Sequence, residues 1–210
     1  MKKRIIILVA IGLLLSFSSG FAGWQDKPEL QWQQLYRYDR ADDDHQLYTN
    51  RISSAFTYLD DQKNPLFKVT PFFEIRRNID VDLWERKELG VEVGKDIFDW
   101  LYIGEAIQGV WMNEDYRDYR NYEKRDYAES ETRVLLRHDI FSGEKMKLKG
   151  FMLNEFIYDF DDNEGLRNEV VIGLIMPIGQ YIEGGINWRH IDRIHYYDSD
   201  TVEASATLIF

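Results

Sequence analysis

Toward the end of this chain Val202, Ala204, Ala206, Leu208 and Phe210 alternate with Thr201, Glu203, Ser205 and Thr207. A period of two sends successive side chains to opposite faces of extended backbone, so Thr201 to Phe210 reads as a strand with one face for hydrocarbon and one for water. The same period recurs along the whole sequence and predicts ten strands: Leu30 to Tyr38, Leu47 to Leu59, Leu66 to Arg77, Trp84 to Gly94, Asp99 to Met112, Ala128 to Phe141, Met146 to Tyr158, Leu166 to Pro177, Tyr181 to Ile191, and Thr201 to Phe210. Three residues interrupt the apolar faces. Gln34 breaks that of the first segment, Asn154 sits awkwardly in the seventh, and Glu105 shares parity with Leu101, Ile103 and Ile107. A β-bulge at Glu105 is the expected way to re-aim its carboxylate.

The expected fold is all-β, an antiparallel up-and-down transmembrane barrel of ten strands, although eight or twelve fit the same pattern. Mean hydropathy is low, but averaging cancels the apolar face of a barrel strand, so hydropathy does not test this fold. The connections supply an independent check, because such barrels have short periplasmic turns and longer extracellular loops. Starting from the periplasm, the turns are residues 60–65, 95–98, 142–145 and 178–180. The loops are 39–46, 78–83, 113–127, 161–165 and 192–200, with the longest one outside.

Lys2, Lys3 and Arg4 precede an apolar run from Ile5 to Leu15 and then Gly20-Phe21-Ala22. This layout predicts a signal peptide over residues 1–22, with the barrel domain at 23–210 and the outer membrane as destination. There is no Cys, so neither disulfides nor a lipid-modified cysteine is available. Terminal Phe210 then reads as the barrel-terminal signature through which assembly machinery recognises the last strand.

Parity places ten cations in the lumen: Arg51, Lys68, Arg76, Arg86, Arg133, Arg137, Lys147, Lys149, Arg167 and Arg189. It sets against them Glu74, Glu88, Glu92, Glu129, Glu131, Glu155, Glu169, Glu183 and Glu203. Interleaved charges neutralise one another across strands, which a narrow interior requires. The network either fills the interior or lines a narrow pore for small solutes.

Without Lys2, Lys3 and Arg4 the chain has 23 basic and 37 acidic residues, a net charge of −14. The five loops account for −11 of this. Asp42, Asp43, Asp44, Asp161, Asp162 and Glu164 are candidates for sharing divalent cations with lipopolysaccharide phosphates, against the plainer reading of solvated acidic loops.

No motif carries catalysis or calls for a cofactor. His138 and Ser142 lack an orienting carboxylate, and His190 and His195 are five apart, on opposite faces of a strand. Glu129 and Glu131 share a face as an acid/base pair would, but Arg133 beside them favours a salt-bridge ladder. Tyr116, Tyr119, Tyr122 and Tyr127, interleaved with Arg117, Arg120, Lys124 and Arg125, resemble a base-stacking surface. In an exported acidic chain they read better as aromatics of the outer interface, and nucleic acid is not an expected partner.

Arg133 and Arg137, Asn154-Glu155-Phe156, Arg167-Asn168 followed by Gly173, and Gly185 leading to Trp188-Arg189 give residues 129–210 a resemblance to a bacterial family. It is known only as domain of unknown function 2490, a family of outer-membrane barrels. The resemblance implies a barrel and no activity. Two other readings remain at this point: a lipid-modifying barrel enzyme, and a soluble periplasmic β-sandwich or lipocalin-like barrel. Alternation is the same whether the apolar face points out or in.

Overall fold

A computed structural model describes residues 23–25, 27–39, 46–120, 126–143, 147–194 and 197–210. The expected leader, the Asp42 to Asp44 cluster, His195, Tyr122, Lys124 and Arg125 lie outside these. Ten strands form: β1 (Glu29–Asp39), β2 (Gln46–Leu59), β3 (Pro65–Asn78), β4 (Leu83–Phe98), β5 (Leu101–Met112), β6 (Tyr127–Ser142), β7 (Lys147–Asp159), β8 (Glu164–Ile178), β9 (Ile182–Arg193) and β10 (Ser199–Ile209). Each pairs antiparallel with its chain neighbours and β10 pairs with β1, so the sheet closes. Closure leaves no free edge. At the seam Trp32 faces Leu208 and Tyr38 faces Val202. Phe210 then exchanges both backbone hydrogen bonds with Leu30, at 2.9 and 3.3 Å, at the end of the barrel that carries the short turns.

Paired residues share a face, and the face of the aromatic and aliphatic residues points outward. Trp32, Ile52, Phe73 and Leu89 follow one another across β1 to β4, and Leu136, Met152, Ile172 and Trp188 across β6 to β9. Ile52 is 52 % exposed and Ile186 62 %. Aromatic residues gather at both rims: Phe98 stacked on Trp100, with Phe141 and Tyr181, at the turn end, and Tyr36, Tyr38 and Trp188 toward the loop end. Glu74, Glu92, Glu131, Glu155, Glu169 and Glu203 are buried inside. A soluble barrel would have the opposite arrangement, so that alternative falls.

Two local expectations are corrected. No bulge re-aims Glu105: it pairs in continuous register with Val93 and Thr132 and is exposed on the outer face. Register shifts fall elsewhere, one of them at Asp96/Phe98, because β4 runs to Phe98 where a turn was expected at 95–98. The 113–127 connection contains a short helix, α1 (Glu114–Arg120), rather than loop throughout. Asn113 caps it by accepting from the Asp115 and Tyr116 amides at 2.8 and 3.3 Å. At the other end of the barrel Asp60 accepts from the Asn64 and Gln62 amides, at 2.8 Å each. The Asn64 amide and side chain hold its carboxyl below the usual range.

Inward glycines make room for larger neighbours. A Cβ on Gly94 would overlap the Tyr102 ring, and one on Gly173 would lie 2.5 Å from Asn187 Cβ and 2.7 Å from the Ile186 carbonyl oxygen. Backbone cannot retreat as a flexible side chain can. Gly173→Ala is therefore expected to destabilise the barrel by about 3 kcal/mol, the upper end of overpacking effects. Gly184→Ala, whose nearest contact is 3.6 Å away, should change stability little. Urea unfolding of the two variants side by side checks the contrast.

Candidate functional site

The cavity inside the barrel has a volume of about 480 Å³. Nine cationic side chains line it: Arg37, Arg51, Lys68, Arg76, Arg86, Arg133, Arg137, Arg167 and Arg189. So do nine carboxylates: Glu29, Glu74, Glu88, Glu92, Glu131, Glu155, Glu169, Glu183 and Glu203. The lining is thus formally neutral. A space of this size lined by charge holds on the order of fifteen waters.

The ion pairs form one chain around the wall. Arg37 reaches Glu203 at 2.5 Å, and Glu203 takes Arg189 at 2.9 Å. Arg189 also holds Glu155 at 2.6 Å and contacts Glu169, which takes Arg167 at 2.5 Å. Glu155 passes the chain to Arg133 at 3.0 Å, and Arg133 binds Glu131 and Glu92, each at 2.5 Å. From Glu92 it continues through Arg51 at 3.9 Å, Glu74 at 3.6 Å and Arg76 at 3.1 Å. It ends on Glu88, 3.9 Å from Arg76 and 2.6 Å from Arg86. Strand β5 joins through Tyr102, whose hydroxyl donates to Glu92. Every link lies within one strand or joins strands that are adjacent or two apart, so the pairs run around the lumen rather than across it. Closing the barrel makes this possible, since it brings Arg37 and Glu203 together across 166 residues.

Sequence reasoning missed four members of this arrangement, Glu29 because it precedes the first expected strand. Arg37 shares parity with Gln31 and Gln33, which line the lumen beside it. Asp96, expected in a turn, pairs with Lys68 at 3.0 Å and with Arg137 near the turn end. Tyr102 was hidden by an aromatic side chain's weak preference for either face. Glu183 lines the turn-end mouth, whereas Lys147 and Lys149 are not part of the lining.

The two ends of the lumen differ. Its lining begins near Glu29 and Thr207 at the turn end and stops toward the loop end at Arg86 and Arg167. Beside and beyond these, Asp39, Asn78, Gln108, Glu129, Asp159 and Thr201 are no more than 4 % exposed. Gln108 Nε2 donates to Glu129 Oε1 at 2.6 Å, and Arg86 donates to the Tyr127 hydroxyl at 3.2 Å. Helix α1 packs against β4 with Tyr116 fully buried. Tyr116 and Tyr127 are thus buried at the loop end rather than belonging to an outer girdle, while Tyr119 remains exposed. Among the described residues the loop end is densely packed, whereas the lining of the cavity reaches the turn end.

The other candidates disperse. Asp161 accepts from the Ala128 amide at 3.2 Å, and the Asp161 and Asp162 amides donate back to Asp159. With Glu164 these make a tight turn, and among the described residues no cluster of metal-ligating side chains forms. His138 and Ser142 are four residues apart on β6, roughly 13 Å along extended backbone. Glu131 is engaged by Arg133 and Glu129 by Gln108, which leaves no free carboxylate pair. His190 Nδ1 lies 3.0 Å from Asp200 Oδ1 on the outside, its ring stacked on Trp188.

Fold and site together define a closed, charge-lined ten-stranded barrel. No family model matches the sequence, and no curated protein does. Among solved structures the chain is similar to the KdgM porin, at 9 % identity and TM-score 0.42 over 87 % of this chain and 99 % of that one. It is similar to the NanC porin at 12 % identity and TM-score 0.43, over 85 % and 98 %. The transport unit of the autotransporter AIDA-I from Escherichia coli aligns at 9 % identity and TM-score 0.38, over 98 % of each chain. Likeness at this level says nothing of what enters this lumen.

Proposed function

We propose that this protein is an outer-membrane β-barrel whose lumen is a narrow path for small hydrophilic solutes, closed at its loop end in the conformation described. The observation that carries this reading is the circumferential course of the ion pairs. They neutralise one another along the wall and leave about 480 Å³ of polar space at the centre. The apolar belt between two aromatic rims supports insertion in a bilayer. Outer-membrane lipids and lipopolysaccharide surround such a barrel, and the exposed Phe210 end of β10 is where assembly machinery would engage it.

The sealed loop-end layer favours a second reading, a static structural barrel. Planar-bilayer recording of heat-modifiable, folded protein separates the two. A solute path gives brief openings of low conductance, with cation-to-anion permeability near one because nine cations face nine carboxylates. A silent bilayer, with folding confirmed on the same sample, would leave the structural role alone.

A further inference from the structure

The outer face of β5 to β8 carries polar side chains that the lumen does not use. Glu105 is exposed between Ile103 and Ile107, five residues from Trp100 and six from Trp111. At strand rise and barrel tilt this puts its carboxylate roughly 12 Å from either aromatic rim, in the middle of the apolar belt. Thr132 on β6 donates to Glu105 Oε2 at 2.5 Å, and Asn154 on β7 donates to Asn168 on β8 at 2.9 Å. Ser130 shares this face of β6. Among the described residues Glu105 has no ion-pair partner. Lys95, the outward cation nearest in register, sits opposite Ile103.

A carboxylate facing lipid is costly, and ionisable groups at that depth normally face protein. We propose that the outward strip of β5 to β8 centred on Glu105 is the surface through which two copies of this chain associate side by side, an inference that rests on the membrane reading above. Two barrels inserted the same way up are related by a two-fold axis along the membrane normal. The same patch then meets itself at the same depth. A strip holding an anionic acceptor together with hydroxyl and amide donors is self-complementary under that operation. The Glu105 carboxylate can accept from the second copy's hydroxyl or amide groups while keeping its own Thr132. Beside the strip, Trp100, Leu136 and Gly150 border a shallow groove of about 340 Å³, a concavity that a protruding apolar side chain of the second copy would fill.

The chain has no Cys, so single cysteines report contacts cleanly. Val134→Cys, on the same outward face of β6, and, four strands away on β2, Ile52→Cys would be reconstituted into phosphatidylcholine and phosphatidylglycerol vesicles and treated with a short bis-maleimide. Val134→Cys is expected to give several-fold more dimer than Ile52→Cys. Adding Glu105→Leu, which enlarges the apolar belt and leaves the interior untouched, should bring it down to the Ile52→Cys level. Glu105→Gln, which keeps an acceptor, should retain part of the dimer. Light scattering of wild type in detergent should give two chains per particle. Equal cross-linking at both positions, indifference to Glu105→Leu, or ladders beyond the dimer would overturn the proposal in protein that floats with the vesicles and migrates as a folded barrel. Protein that does not float with vesicles overturns the membrane reading itself and this inference with it.

Discussion

Arg189→Met is expected to destabilise the barrel by about 3 kcal/mol, the lower end of the cost of stranding a buried charge. One guanidinium stands among Glu155, Glu169 and Glu203, on three different strands. Methionine keeps the apolar stem and removes the charge. The loss stays at the lower end because each carboxylate keeps another cation: Arg133 for Glu155, Arg167 for Glu169 and Arg37 for Glu203. Pairing Arg189→Met with Glu169→Gln should recover part of the loss, since one fewer uncompensated charge remains. Urea unfolding from vesicles, followed by tryptophan fluorescence, measures both variants. A change under about 1 kcal/mol would mean that the charges are solvated singly by lumen water, as exposed pairs are.

Replacing residues 114–120 with a Gly/Ser segment of equal length is expected to turn brief channel openings into sustained current. Helix α1 packs on β4 and buries Tyr116 completely at the closed end. Asn113 anchors its start both by capping it and by donating its own amide to the Glu85 carbonyl at 3.0 Å. Removing the helix takes away the aromatic side chain and leaves the strands, whose hydrogen bonds do not involve it. Stability should therefore change far less than for Arg189→Met, while conductance changes far more. Tyr116→Ala alone should give an intermediate current. Unchanged current from a folded variant would place the seal in the Gln108 and Glu129 layer below.

The strands were legible because alternation is a local property. Each segment contains its own record of period two, and even the weak first segment, broken by Gln34, forms a strand from Glu29 to Asp39. Boundaries shifted where alternation lapses, as at Asp96, where an inward carboxylate looks like a turn residue. Helix α1 could not be read from a stretch of 15 mixed polar and aromatic residues because it is held by its cap and by β4 rather than by a periodic apolar face. The three sequence exceptions share one outcome: Gln34, Asn154 and Glu105 sit outside as their parity requires. The bulge expected at Glu105 assumed that a lone barrel cannot tolerate an outward carboxylate, an assumption that a second copy would remove.

By itself the sequence determined that this chain forms alternating strands, and that one face of each is polar and charged and the other largely apolar. It did not determine which face turns inward, because alternation is symmetric under exchange of inside and outside. The tertiary structure decided that. Closing β1 on β10 brings Arg37 to Glu203, and the same curvature brings Arg189, Arg133 and Arg51 within reach of carboxylates two strands away. The curved, closed sheet completes the set of partners for these charges, and that mutual compensation lets the polar face occupy the interior while the apolar face is left outside.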